Sequence, residues 1–267
     1  MAFSVGIRGA GAAGLSVARD VLRRVPEAKV SIFDRRARLP HPQRTFCFFD
    51  YGGLPRGVSP DHVWQRVKFS GRDFSRVVEC PEAPYSLLRG ERFFAEVLAE
   101  VESRGAVLRW ECHSVEVSTG SLVVDGEARE FDLVVDAAFD TERQQPTLWQ
   151  SFAGVWIELD GDFFDPTEAL LMDLGASSAD SPVSFVYVLP TSSRAALVEH
   201  TTFSRERQPK QEHLERCFEW IARRRLPKFS VKEIEEGAIP MGLPEFSAQH
   251  GRLSVGSSAG AIRASTG

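Results

Sequence analysis

Gly9, Gly11 and Gly14 stand in a G-x-G-x-x-G spacing, and an acid, Asp34, follows farther along. In this arrangement the first glycine permits a tight turn and the second lets backbone approach a pyrophosphate. The third lets a helix pack closely on the preceding strand. A helix N-terminus contributes free N–H groups and a partial positive charge to hold the phosphates. An acid at the end of the second strand accepts hydrogen bonds from ribose hydroxyls, a role that suits Asp34, with Arg35 beside it as a further cofactor-binding candidate. The bland alternative is a glycine turn with no ligand. Arg8 departs from the small or apolar residue usual before the first glycine, and two readings follow: it reaches toward the phosphates, or it disturbs the turn. A different chemistry is suggested by Glu199, which closes the apolar run Ala195–Val198. A carboxylic acid buried among apolar groups stays neutral at higher pH and can deliver a proton there; taken alone, a surface carboxylate is the default reading.

The elements around the glycines support the nucleotide reading. Phe3–Ile7 reads as a buried strand running into the glycines. Leu15, Ala18, Val21, Leu22 and Val25 then fall on one helical face, and Pro26 ends the helix. Val30–Phe33 is a second strand, closing in Asp34, so that strand, turn, helix and strand make one βαβ unit. The motif lies at the N-terminus and a long irregular stretch rich in Pro, Arg and Gly, from Arg35 to Pro84, follows it, which favours FAD over NAD. A helix is expected over Glu91–Glu102, with Gly105 as its stop, then short strands at Val107–Trp110, Ser114–Ser118, Leu122–Asp125 and Phe131–Val135. Asp136 ends that last run, where flavoproteins of this type approach the cofactor. Thr141–Pro146 reads as a connection between lobes. Beyond it come strands at Phe152–Leu159, Phe185–Leu189 and Ala195–Phe203, and a helix over Gln211–Arg225 with Leu214, Phe218, Ile221 and Ala222 facing in. Arg252–Gly260 (RLSVGSSAG) reads as a strand entering another glycine turn, which adds Gly256 and Gly260 to the cofactor-binding candidates; an ordinary strand-to-helix turn is the alternative.

The expected fold class is α/β: a Rossmann-like FAD/NAD(P)-binding domain of the glutathione-reductase type with an antiparallel-sheet substrate lobe. Residues 1–145 and 246–267 are assigned to the first, and 146–245 to the second. The chain has 267 residues, 43% of them hydrophobic and 26% charged, ordinary values for a globular protein. A net charge of -5 gives no general attraction to nucleic acid, and none is expected as a partner. Cys47, Cys80, Cys112 and Cys217 have neither C-x-x-C spacing nor the look of a disulfide framework, which suits a reducing cytoplasm. The start lacks the regions of a signal peptide. No apolar run is long enough to cross a membrane, and peripheral membrane contact stays open. His41, His62, His113, His213 and His250 show no ligand spacing, so no metal site is expected.

Several segments, in order, resemble the bacterial-type lycopene beta-cyclase family. Thr45–Asp50 (TFCFFD) is similar to its TWSFHD-like segment, and Leu171–Asp173 (LMD) follows an aromatic strand, GVWIEL, as in the family. Phe185–Pro190 (FVYVLP) and Val198–Thr201 (VEHT) resemble its paired FxYVLP and VEDT elements, the most specific part of the match. Gly237–Met241 (GAIPM) and Val255–Gly267 resemble its GxxP and GxxAGxxxPSTG segments. The resemblance implies FAD, used in reduced form, and a reaction without net oxidation. An acid protonates the linear end group of a carotenoid, a neighbouring double bond attacks the cation to close a ring, and a proton is lost. It implies a lipophilic, carotenoid-like substrate, with Glu199 as the catalytic acid and Asp173 as a second acid or a helix cap. Phe185 and Tyr187 would add aromatic faces to such a pocket, simple strand packing being their plainer reading. His200 stands where the family has an acid, which removes a candidate second carboxylate. The family continues past the STG segment in which this sequence stops, so a fragment or a short relative is expected, with a less enclosed substrate tunnel.

The rival function is a redox flavoenzyme of the same general fold, a monooxygenase or halogenase of secondary metabolism. It would consume reduced nicotinamide and oxygen, and a cyclase would not. A third class is a flavin-binding remnant without activity.

Overall fold

The computed structural model describes residues 2–38, 44–52, 58–140, 145–175, 183–242 and 251–262. In chain order the elements begin β1 (Ser4–Arg8), α1 (Ala12–Arg24), β2 (Lys29–Phe33), β3 (Thr45–Phe49), β4 (His62–Trp64), β5 (Arg66–Ser70), β6 (Ser75–Glu79) and β7 (Tyr85–Arg89). Next are α2 (Gly90–Ser103), β8 (Val107–Arg109), β9 (Val115–Ser118), β10 (Ser121–Val124), β11 (Glu127–Glu130) and β12 (Leu133–Asp136). The rest are β13 (Leu148–Leu159), β14 (Glu168–Asp173), β15 (Val183–Pro190), β16 (Ala195–Ser204), α3 (Lys210–Arg224), β17 (Phe229–Met241), β18 (Arg252–Ser254) and a 3₁₀ turn, Gly256–Ala259. The chain divides into two compact units, the first made of 1–42, 90–146 and 242–262, the second of 43–89, 147–241 and 263–267.

The first unit is built on a five-stranded parallel sheet in the order β18-β12-β1-β2-β8. Its inner strands are apolar because a parallel sheet covered on both faces has no wet side: Val5, Ile7, Val134 and Val135 are fully buried. Leu15, Ala18 and Leu22 of α1 are buried as the helical period requires, and Arg23 ties α1 to Glu100 of α2 at 2.6 Å. The small sheet β9–β11 packs Val115, Val117, Leu122 and Val124 with Phe33. β18 joins the edge of the parallel sheet beside β12, so the RLS strand returns to the nucleotide unit as expected.

The second unit is a seven-stranded sheet, β17-β13-β16-β15-β14-β5-β6, antiparallel except where β14 meets β5. One face is covered by α3, whose Cys217 and Ile221 pack on Val155, Val186 and Val198. The opposite face carries a second core, in which Trp64, Tyr85 and Leu87 of the β3-β7-β4 sheet meet Trp156, Leu189 and Leu197. Of the inward set expected for α3, Ile221 is buried, whereas Phe218 is 40% exposed; the helix turns His213 and Cys217 inward instead.

The domain division expected from sequence fails at residues 43–89. That stretch is not irregular: it forms five strands, and β5 and β6 extend the sheet of the second unit. The strands are only three to five residues long and, apart from the β5–β6 hairpin, pair with segments farther along the chain, so local periodicity carries almost no trace of them. Within the expected lobe connection Thr141–Pro146, residues 141–144 lie outside the described residues, as does the STG end.

Candidate functional site

In the first unit the three glycines shape the turn between β1 and α1. Gly9 takes φ +100 and donates to the Phe33 carbonyl at 2.8 Å, so the turn it makes requires glycine. A Cβ on Gly14 would fall 2.0 Å from the Gly9 carbonyl oxygen, which lets α1 lie directly on the turn. A Cβ on Gly11 would meet only Arg36, at 4.0 Å, and so the approach to the helix N-terminus is left open. Asp34 is 6% exposed; its carboxylate accepts the Ala10 N–H at 2.6 Å and the Arg36 guanidinium at 2.7 Å. Burial pushes this carboxyl up, but the Arg36 and Ala10 hydrogen bonds outweigh it and hold Asp34 below the usual range, as an ionised acceptor. The arginine that meets Asp34 is Arg36, whereas Arg35 is exposed. The set fits a dinucleotide: open helix N-terminus, ionised acid and a neighbouring cation.

Neither reading of Arg8 holds. Its side chain turns inward, donating to Asp136 at 2.8 Å and to the Ala138 carbonyl at 2.8 Å, and the Gly9 turn is intact beside it. Asp136, expected near the cofactor, is committed to Arg8 and, at 3.3 Å, to Arg252. Its backbone carbonyl accepts the Ser258 hydroxyl at 2.6 Å and the Val255 N–H at 3.0 Å, which anchors the second glycine turn. In that turn Gly256 and Gly260 both have positive φ, and a Cβ on Gly256 would come within 2.7 Å of the Ala13 side chain at the start of α1.

The second unit holds the acid. Along the sheet, Glu235 of β17, Gly154 of β13, Glu199 of β16 and Tyr187 of β15 occupy one cross-strand row. Residues in register share a face, and this row faces the core built with β3 and β7. Glu199 is 2% exposed; Thr201 donates to its Oε1 at 3.2 Å, and among the described residues its Oε2 has no hydrogen-bond partner. Burial, reinforced by the charge of Glu235, pushes Glu199 well above the usual carboxylate range. Glu235 is 4% exposed and accepts the Thr45 hydroxyl at 2.7 Å. Burial raises it to about 7, against the pull of Thr45 and Arg89. The next row sets Glu233, Trp156 and Leu197 side by side; Arg89 pairs with Glu233 and lies 4.6 Å over the Trp156 ring. Partly buried Cys47 and buried Tyr85 titrate well above their ordinary values, Cys47 first through burial and then the Glu235 and Glu199 charges, Tyr85 first through burial and then Cys47 and Glu199.

Two residues expected near Glu199 lie elsewhere. A bulge in β14 between Leu170 and Asp173 turns Asp173 to the α3 face, where it accepts Trp220 Nε1 at 3.0 Å and Arg224 at 2.7 Å. Burial raises Asp173, but those two bonds dominate and keep it ionised, unsuited to donating a proton. His200, next to Glu199 in the strand, points to the opposite face and meets His213, Nδ1 to Nδ1, at 2.9 Å. An acid at position 200 would therefore not have met Glu199. Asp173 and His200 come together in a cavity of about 220 Å³ against α3, with Arg216 and Trp220. Sequence reasoning missed Glu235 and Arg36; the one available hint of Glu235 was its place in the strand leading to GAIPM.

A model of the family described as lycopene cyclase protein matches residues 5–267. The chain belongs to the lycopene cyclase family. No curated protein matches it. The solved structures to which this lycopene cyclase family member is similar include several that are distant in sequence. A geranylgeranyl bacteriochlorophyll reductase-like protein from Thermoplasma acidophilum is 16% identical with TM-score 0.69, over 98% of this chain and 73% of that one. A flavin-dependent halogenase from Xanthomonas campestris is 11% identical with TM-score 0.70, over 98% of this chain and 67% of that one. CtdE in complex with FAD is 15% identical with TM-score 0.65, over 97% of this chain and 78% of that one. These likenesses establish the fold class, a Rossmann-like sheet with an antiparallel lobe. Among the described residues of the family member, no helix is long and apolar enough to cross a membrane.

Proposed function

We propose that this chain is an FAD-dependent, non-redox cyclase acting on the end group of a carotenoid or related polyene, with Glu199 as the proton donor. The observation that carries the reading is the setting of Glu199: 2% exposed, held by burial above the usual carboxylate range, with Oε2 unpartnered among the described residues on the face it shares with Tyr187. An alkene is a weak base, so protonating it demands a carboxylic acid that is neutral and cannot lose its proton to water. Burial supplies both conditions at Glu199. The aromatic faces of Tyr187, Tyr85 and Trp156 within this core suit a cationic intermediate, to which their negative ring faces are attracted. Gly9, Gly11, Gly14, Asp34 and Arg36, with Gly256 and Gly260, are assigned to hold the dinucleotide. A bound reduced flavin supplies negative charge that stabilises a carbocation.

The substrate is lipophilic, and peripheral membrane contact by a cytoplasmic protein is the route proposed for reaching it. The test is chromatography of carotenoids from a lycopene-accumulating bacterium expressing this chain or its Glu199→Gln variant. Ring-containing product from the parent alone supports the reading. Unchanged lycopene in cells that hold soluble, flavin-loaded parent protein overturns it, and substrate-dependent consumption of reduced nicotinamide and oxygen would assign redox chemistry instead.

A further inference from the structure

Glu199 is not the sole buried carboxyl on its face of the sheet. Glu235 stands two strands away in the same row, and the residue between them is a glycine. Two strand spacings separate the flanking backbones by about 9.5 Å, so carboxyls on β17 and β16 meet only if nothing rises between them. Gly154 leaves that space open. The Glu199 side chain enters it: a Cβ on Gly154 would lie 2.9 Å from Glu199 Cβ and 3.1 Å from its Cγ. Glu199 therefore leans over the bare backbone toward β17. On the far side Thr45 fixes one Glu235 oxygen at 2.7 Å. Glu199 Oε2 is buried with no partner among the described residues, a state that suits a protonated carboxyl and is costly for a charged one.

We propose that Glu235 and Glu199 form a proton-sharing carboxyl pair across Gly154, in which Glu235 resupplies the proton that Glu199 gives up. The supply role rests on the cyclisation reading; the pairing does not. In that reading the Glu199 O–H bond breaks and its proton goes to an alkene carbon. The ring bond forms from a second alkene's electron pair. A C–H bond next to the cation then breaks, leaving its electron pair as the new double bond; its proton goes to the Glu235 carboxylate and passes from there to the Glu199 carboxylate, which restores the acid. No oxidant or reductant is required, and the pair must hold one proton between two carboxyls at each turnover. Two like charges at short range in a dry site cannot both persist, and each carboxylate keeps the other protonated. The other groups that face the pair are Tyr187, Tyr85, Cys47, Arg89 and Glu233; Arg89 is drawn to Glu233, which leaves Glu235 as the site's titrating neighbour.

The experiment is an infrared pH titration of the protein labelled with ¹³C-glutamate, in the parent and in Glu235→Gln, Glu235→Asp and Glu199→Gln. Coupling predicts that Glu235→Gln moves the ionisation of the Glu199 carbonyl band down by at least about one pH unit. Reciprocally, Glu199→Gln moves the Glu235 band down, and Glu235→Asp keeps most of the parent behaviour. Bands that titrate at unchanged pH in either Gln variant overturn the pairing. Because each Gln variant reports on the other's partner, failure of one to fold leaves the reciprocal measurement to decide. No polyene is used, so absence of cyclisation would sink the catalytic reading while leaving this result intact. Where turnover is measurable, the high-pH limb of the kcat profile of Glu235→Gln falls at lower pH than in the parent; an unmoved limb removes the supply role.

Discussion

At the scale of single residues, the chemistry depends on where one strand points its side chains. β16 alternates faces, so Glu199 and Thr201 enter the core opposite α3 while Val198 and His200 enter the core beneath it. Glu199→Gln keeps the shape and the Thr201 contact but has no proton to give. Its expected effect is a fall of at least about a hundredfold in cyclised product. Melting temperature and flavin absorbance should match the parent, because the amide keeps the size of a carboxyl that burial pushes toward its neutral form. A variant that loses flavin together with activity would make Glu199 a structural residue. Arg8 is a contrasting case. Removing it as Arg8→Ala strands Asp136, 6% exposed, with only the longer Arg252 contact. A loss of about 3 kcal/mol is expected in urea denaturation, and no loss at all would show that the pair is solvated.

At the scale of elements, the packing of α3 on the sheet is pH-sensitive. His200 and His213 meet through their Nδ1 atoms, so one must donate and the other accept, and protonating both sets two N–H groups against each other. Burial, then the neighbouring His213, lowers His200 to about 4. The unfolded chain binds this proton near pH 6.5 and the folded one does not until about 4. Stability from this contact is therefore complete above pH 6.5 and drains away as pH falls toward 4. Thermal melts should show that fall in the parent and a shallower one in His200→Phe; parallel curves would exclude the pair as its source. β13 makes the second element-scale prediction. Gly154→Ala puts a methyl 2.9 Å from both Glu199 Cβ and Leu197 Cδ1 in the middle of the sheet. A cost of about 1–3 kcal/mol is expected from overpacking, seen as a lower urea midpoint, and an unchanged midpoint would mean the two strands can part.

At the scale of the whole molecule, cofactor binding and folding are linked. A dinucleotide held by the folded Gly9–Gly14 turn and by Asp34 stabilises the protein by about 2.7 kcal/mol at a hundredfold excess over Kd. Added FAD should raise the melting temperature of the apoprotein by several degrees. Gly14→Ala, whose methyl would fall 2.0 Å from the Gly9 carbonyl oxygen, should abolish that gain; an equal gain in the variant would place the cofactor elsewhere. The nucleotide cradle was legible in the sequence because it is local. Gly9, Gly11, Gly14 and the helix lie within one short stretch, and the backbone demands of a tight turn leave few alternatives to glycine. The strand carrying Glu199 was legible for a similar reason, as an apolar run that ends in an acid. The partnership of Arg36 with Asp34 was missed because adjacent arginines are alike in sequence and only the turn selects which one points inward. What tertiary structure alone decided was the company that these residues keep. Position 200 looks like a neighbour of Glu199 along the chain, yet a strand's period of two sends it to the other face. A single bulge did the same to Asp173. The second carboxyl came instead from Glu235, brought into register with Gly154 by strand pairing that no local pattern encodes. The sequence thus determined which residues had chemistry to offer, because residue type and local backbone demand are written in order. Sheet register determined which of them meet, because pairing is set by the packing of distant apolar faces.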